Sequence, residues 1–200
     1  MKKREFIKKG FLGIGSFFLA GKAKGLEYYP MPSDKRIAVI YATWCGTSRD
    51  AALWISEGMD GIANVFDVRE DPDISGYDHL IMGGSIRQNK VPGQLENFLE
   101  KNRAAVSGKV RGLFAVCGNM RQPVGNEQYR TFIQDYLAPL SGAGQVPSRI
   151  FLGRITWGLM EPEVCEMMKK IPGMEEYDNL KRPECMAFGR EILDAINKVN

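Results

Sequence analysis

From residue 36 onward the chain repeats one pattern. A short apolar run rich in β-branched and aromatic residues is followed by a loop, then by apolar positions three and four apart. Arg36–Ala42 (R-I-A-V-I-Y-A) has no polar break after its first residue, which suits a strand buried on both faces. Thr43–Ser48 is a hydroxyl-rich loop with one glycine. Ala51, Ala52, Leu53, Trp54 and Ile55 then begin a helix, with Thr47 or Ser48 as its N-cap. Ala63–Val68 reads as a second strand, and Pro72, Ser75 and Gly76 mark a turn. His79–Met82 is a third strand running into Gly83-Gly84-Ser85-Ile86-Arg87, and Pro92–Asn102 a helix with Leu95, Phe98 and Leu99 inward. Val110–Cys117 is a fourth strand ending at the polar loop Gly118–Pro123. Asn126–Leu140 is a helix carrying Tyr129, Phe132, Ile133, Tyr136 and Leu137 on one side. Ser148–Ile155 supplies a fifth strand, and Arg182–Val199 closes the chain as a helix with Phe188, Ile192, Leu193 and Ile196 inward.

Five β-α units in succession imply a parallel sheet with helices on both faces, an α/β three-layer sandwich. Right-handed crossovers leave few topologies. In the order 2-1-3-4-5, the loops after strands 1, 3 and 4 surround one crevice at the carboxyl edge, where open α/β sheets bind ligands. Those three loops are the ones rich in glycine and polar residues.

The first of them has chemistry of its own. A helix start leaves N–H groups unpaired and carries partial positive charge, so hydroxyls around it form a phosphate site that needs no cationic side chain. The loop lacks the Gly-Lys-Ser/Thr of a Walker motif and the glycines of a dinucleotide fingerprint. The plainer alternative is an ordinary β-α turn with a capping serine.

T-x-x-G-T-S after the first strand resembles the phosphate loop of flavodoxins, T/S-x-T-G-x-T. The run Y-D-H-L-I-M-G-G-S-I-R, and its spacing to L-E-N-F-L, is similar to a branch of that superfamily that includes menaquinone-linked protoporphyrinogen dehydrogenases. The resemblance covers most of residues 36–199 and implies a flavodoxin-like fold holding FMN. It places Thr43, Trp44, Cys45, Gly46, Thr47 and Ser48 at the phosphate. Ser85, Ile86 and Arg87 fall on one side of the isoalloxazine, and Gly118, Asn119, Met120 and Arg121 on the other. Many flavodoxins stack a tyrosine from the fourth-strand loop, but Gly118–Val124 has no aromatic residue. Stacking must therefore differ; Trp44 is one source of a ring, unless it packs against the protein. Arg87 and Arg121 beside the flavin would stabilise its anionic reduced form and raise its potential; surface ion pairs are the alternative for both.

Charge is unevenly placed. The chain has 27 Lys and Arg against 24 Asp and Glu, a net +3. Residues 1–24 hold seven of the bases and one of the acids, so the body carries 20 against 23 and offers no basic footprint for nucleic acid. K-K-R-E-F-I-K-K followed by the apolar stretch Gly10–Gly21 reads as an export signal; the stretch is too short for the ~20 residues of a membrane span. Lys3-Arg4-x-Phe6-Ile7-Lys8 resembles the twin-arginine pattern, a route that carries folded proteins. A Sec signal and an uncleaved amphipathic anchor are the alternatives. This gives an export signal over 1–24, a linker over 25–34, one domain over 35–200, and a periplasmic or outer-face location.

Elsewhere the chain is quieter. The one histidine, His79, reads as structural, and no metal ligand cluster or C-x-x-C appears. Cys165 and Cys185 flank a segment that a disulfide would staple, or remain buried thiols. Trp157–Tyr177, rich in methionine with Lys169-Lys170 beside it, reads first as core filling. Next to the crevice it would instead be an apolar lid or a surface meeting a membrane quinone. No hydrolytic or group-transfer constellation is visible. The leading expectation is an exported FMN-binding redox protein working with a redox partner protein or a quinone. An FMN-dependent dehydrogenase of a bulky substrate with a quinone acceptor, and a flavodoxin-fold protein that has lost FMN, are the alternatives.

Overall fold

The computed structural model describes residues 31–118 and 122–199. The segment expected to be an export signal, and most of the expected linker, lie outside the described residues. Five strands form one parallel sheet in the order β2-β1-β3-β4-β5: β1 Ile37–Ala42, β2 Asn64–Asp67, β3 His79–Ser85, β4 Val110–Cys117 and β5 Ser148–Leu152. This is the expected topology. β1 is buried along its whole length because alternate side chains enter different cores. Ile37, Val39 and Tyr41 meet α1 (Thr47–Gly58) and α7 (Arg182–Val199) on one face. Ala38, Ile40 and Ala42 meet α2 (Gly93–Lys101), α3 (Arg103–Val106) and the helical segment after β4 on the other. Phe114, Phe151, Phe188 and Ile55 are fully enclosed in the first core. Each such side chain contributes about 1.5–3 kcal/mol of transfer free energy.

α1 and α7 approach unusually closely, through glycine on both sides. A Cβ at Gly58 would lie 2.1 Å from the Met186 carbonyl oxygen, and one at Gly189 2.1 Å from that of Ile55. That contact seats α1, and hence the loop at its start, against the sheet.

Three expectations need correction. β3 continues through Gly83, Gly84 and Ser85 rather than stopping at Met82, because the glycines keep their ladder pairs with Tyr41 and Ala42 on β1 and Phe114 and Ala115 on β4. The helix after β4 is not uniform: α4 (Asn126–Tyr129) and α5 (Ala138–Ser141) flank a π-helical stretch, Arg130–Leu137. That wider winding still buries Phe132, Ile133 and Leu137. The fifth strand leaves the sheet after Leu152. The Gly153 N–H donates to the Cys117 carbonyl at 2.9 Å, and β6 (Arg154–Ile155) then pairs antiparallel with β7 (Tyr177–Asp178). Of the two readings of Cys165 and Cys185, the structure has the buried free thiols.

Between β6 and β7 lies an excursion containing a 3-10 turn (Trp157–Leu159) and α6 (Pro162–Lys169). Its methionines do not fill the core. Cys165 is the buried residue of α6, while Leu159, Met167 and Ile171 are 51%, 53% and 42% exposed. The excursion lies on the surface because both ends of its short ribbon project from the carboxyl edge of the sheet. Among the described residues, no helix is long and apolar enough to cross a membrane.

Candidate functional site

The carboxyl edge carries a crevice of about 520 Å³, within the usual range for small-molecule sites, about 300–1,000 Å³. Thr43, Trp44, Cys45 and Thr47 line it from the first loop, Ser85, Ile86 and Arg87 from the third-strand loop, and Gly118 from the fourth. The three loops therefore converge as the topology required. Asn119, Met120 and Arg121 lie outside the described residues.

The first loop is built around Gly46, not around a capping side chain as expected. Gly46 occupies the N-cap position of α1 with φ 80°, a left-handed conformation that a side chain would strain. The Thr43 hydroxyl accepts from the Gly46 N–H at 2.9 Å, which folds the loop back on itself. With that turn in place the helix begins at Thr47, and Thr47 and Ser48 fall inside its first turn. Thr47 is 6% exposed and Ser48 fully buried. The Ser48 hydroxyl has no hydrogen-bond partner among the described residues. An unmatched buried hydroxyl costs about 1–3 kcal/mol, and here it stands at the positive end of a twelve-residue helix. Such a donor, at the positive end of a helix, fits a phosphate oxygen.

The walls are partly aromatic and partly soft. Arg87 places its guanidinium carbon 5.3 Å from the Trp44 ring centroid, a cation–π distance. Trp44 thus forms part of the wall, although its buried indole N–H finds no partner among the described residues. The Ser85 hydroxyl is likewise buried and unmatched there. Beyond Ser85 the chain makes a tight turn: the N–H of Arg87 and that of Lys90 each donate to the other residue's carbonyl, at 2.9 and 3.0 Å. Gln88 and Asn89 both take positive φ at its tip, facing the crevice. Cys45 is half-buried, and its thiol is held above the ordinary range by burial and by Glu161, with Arg87 opposing. That makes it a poor nucleophile. Burial alone pushes the Cys117 thiol up to about 12. His79 begins β3, at the end of the sheet away from the crevice, consistent with a structural role.

Several wall residues carried no signal in the loop pattern. Gln128 and Phe132 reach the crevice from the helix after β4. Met160, Val164, Met167 and Met168 reach it from the excursion, which therefore covers the crevice. Arg154 enters from β6, with Nη2 2.5 Å from Asp50 Oδ2. A charged residue at the carboxyl end of the fifth strand is the one sequence feature that could have marked it. Tyr177 on β7 donates its hydroxyl hydrogen to the Gly118 carbonyl, tying the ribbon to the fourth-strand loop. Among the described residues, no group of His, Cys, Asp or Glu could hold a metal ion.

Comparison with solved structures places this architecture. The WrbA-like flavodoxin of Agrobacterium tumefaciens is 14% identical, with a TM-score of 0.55 over 84% of this chain and 100% of that one. Oxidised flavodoxin 1 of Bacillus cereus is 18% identical, with a TM-score of 0.50 over 79% and 97%. At such identities the likeness is one of fold. No curated protein matches the chain. The sequence itself decides the family: the model of the flavodoxin domain matches residues 38–179, from β1 past the end of β7, and this chain belongs to that family.

Proposed function

We propose that this chain is an exported electron carrier that works through non-covalently bound FMN. The observation that carries the reading is the Ser48 hydroxyl, buried and unmatched among the described residues in the first turn of α1, directly after Thr47, which lines the crevice. Its unmet hydrogen bond, at the positive end of α1, suits the phosphate tail of a flavin mononucleotide. Thr43 and Gly46 hold the loop open for that tail, and Thr47 adds a hydroxyl. Ser85, Ile86 and Arg87 stand on one side of the space for the ring system. Gly118 stands on the other, followed in sequence by Asn119, Met120 and Arg121. Trp44 supplies an aromatic surface, and Met160, Val164 and Met168 keep water from the crevice. FMN, when bound, supplies the reversible electron chemistry; the chain sets its potential and its access. The Arg87 charge favours the reduced, anionic flavin. The visible absorption spectrum of natively purified protein, followed by titration of the colourless protein with FMN, tests this. A folded chain that stays colourless after FMN addition refutes it.

Export rests on the basic start and apolar stretch of residues 1–24. Fractionation of producing cells tests it, and a protein retained in the cytosol at full length refutes it.

One observation favours a second reading, an FMN-dependent dehydrogenase of a bulky substrate with a quinone acceptor, of the protoporphyrinogen dehydrogenase type. Leu159, Met167 and Ile171 stand exposed on the excursion that covers the crevice, with Lys169 and Lys170 beside them. An apolar substrate or a membrane surface would find a match there. Stopped-flow reduction with candidate donors, with and without menaquinone analogues, separates the two. Saturable substrate turnover supports the enzyme, and its absence supports the carrier.

A further inference from the structure

Arg154 stands where a phosphate loop of hydroxyls and N–H groups needs no cation. Its side chain is only 18% exposed, and it reaches from β6 across to the start of α1. Nη2 lies 2.5 Å from Asp50 Oδ2, and 3.9 Å from where a Cβ on Gly46 would sit. Nη1 lies 3.8 Å from Asp178 Oδ2. Nε is buried and has no partner among the described residues, so the guanidinium keeps an unused donor. Burying a guanidinium with an idle N–H is costly unless something completes it.

Asp50 sharpens the point. It lies in the first turn of α1, beside the place for an incoming phosphate. An uncovered carboxylate there would repel a dianion, and Arg154 covers it. The planar guanidinium can keep Asp50 on Nη2 and offer its idle Nε–H to a phosphate oxygen, a division of fixed donors that Lys could not make. We propose that Arg154 is a ligand of the phosphate tail and makes this site select phosphorylated over unphosphorylated flavin. The inference rests on the FMN reading and adds a residue to it from outside the loop.

The test compares the full-length protein with its Arg154→Gln and Asp50→Asn variants, titrated with FMN and with riboflavin by flavin fluorescence. Thermal stabilisation by inorganic phosphate is measured alongside. Arg154→Gln should weaken FMN by about 10- to 100-fold and leave riboflavin affinity unchanged. It should also abolish the stabilisation by phosphate. Asp50→Asn, which removes a repelling charge, should hold or tighten FMN. Two results overturn the proposal. One is an unchanged FMN affinity in Arg154→Gln. The other is an equal loss for both flavins, shared by Asp50→Asn, which would make the ion pair only a strut for the β6 ribbon. A wild-type protein that ignores both flavins but loses its phosphate stabilisation in Arg154→Gln would refute the FMN reading while retaining Arg154 as the phosphate ligand.

Discussion

Replacing Ser48 with alanine should move stability and affinity in opposite directions. The Ser48 side chain is fully buried and its hydroxyl unmatched among the described residues. Folding therefore carries a desolvation cost of about 1–3 kcal/mol for that group. Alanine removes the cost, favours the helix by a few tenths of a kcal/mol, and gives up only the packing of one oxygen. The flavin-free variant should be unchanged or stabilised by up to about 2 kcal/mol, some 2–4 °C per kcal/mol in Tm for a domain of this size. With FMN bound, the same hydroxyl donates to a charged oxygen, an interaction of about 1.5–3 kcal/mol. Its loss should raise the Kd for FMN by about 10- to 150-fold. Denaturant unfolding of the flavin-free protein and quenching of flavin fluorescence measure the two quantities. A destabilised flavin-free variant would mean that the hydroxyl already has a protein partner. An unchanged Kd would mean that the phosphate lies elsewhere; either result breaks the argument.

The remaining predictions concern the wall, the helix contact and pH. Trp44→Leu removes the ring beneath Arg87 and should weaken FMN by about 2- to 10-fold, read by the same titration; a full-affinity variant would assign Trp44 to packing. Gly189→Ala drives a methyl to 2.1 Å from the Ile55 carbonyl oxygen and should destabilise by about 3 kcal/mol, a fall in the urea midpoint. An unchanged midpoint would mean that α7 is free to slide. His79 is held below its ordinary value, first by burial and then by Arg111 and Lys35, with Asp78 opposing. The unfolded chain then binds the extra proton first, so stability should decline as pH falls below about 6.5. His79→Gln should flatten that slope, and an identical slope in the variant would trace it to other groups.

The sheet order and the three converging loops could be read from the chain because both are set locally. β1 and β4 are unbroken apolar runs, and a parallel sheet with right-handed crossovers allows few arrangements of five. The first loop was readable for the same reason, as glycine and hydroxyls between a strand and a helix. Its N-cap was misread because sequence preference weighs side-chain capping. Here a left-handed glycine turn, closed by Thr43, starts the helix one or two residues earlier than a Thr47 or Ser48 cap would, and leaves Ser48 inside the first turn. What stayed hidden depends on tertiary placement. Met160, Val164 and Met168 read first as core residues at helical spacing, with an apolar lid as the alternative. They become crevice wall only because the chain leaves the sheet at Gly153 and re-pairs as β6 with β7, a choice made by residues 20 or more positions away. Arg154 was hidden behind the same break. In a continuous fifth strand its side chain would be one of an alternating set, whereas in the ribbon it turns toward Asp50, 104 positions earlier in the chain. The local pattern thus supplied the loops that meet at the crevice, and long-range pairing supplied the wall formed by the excursion.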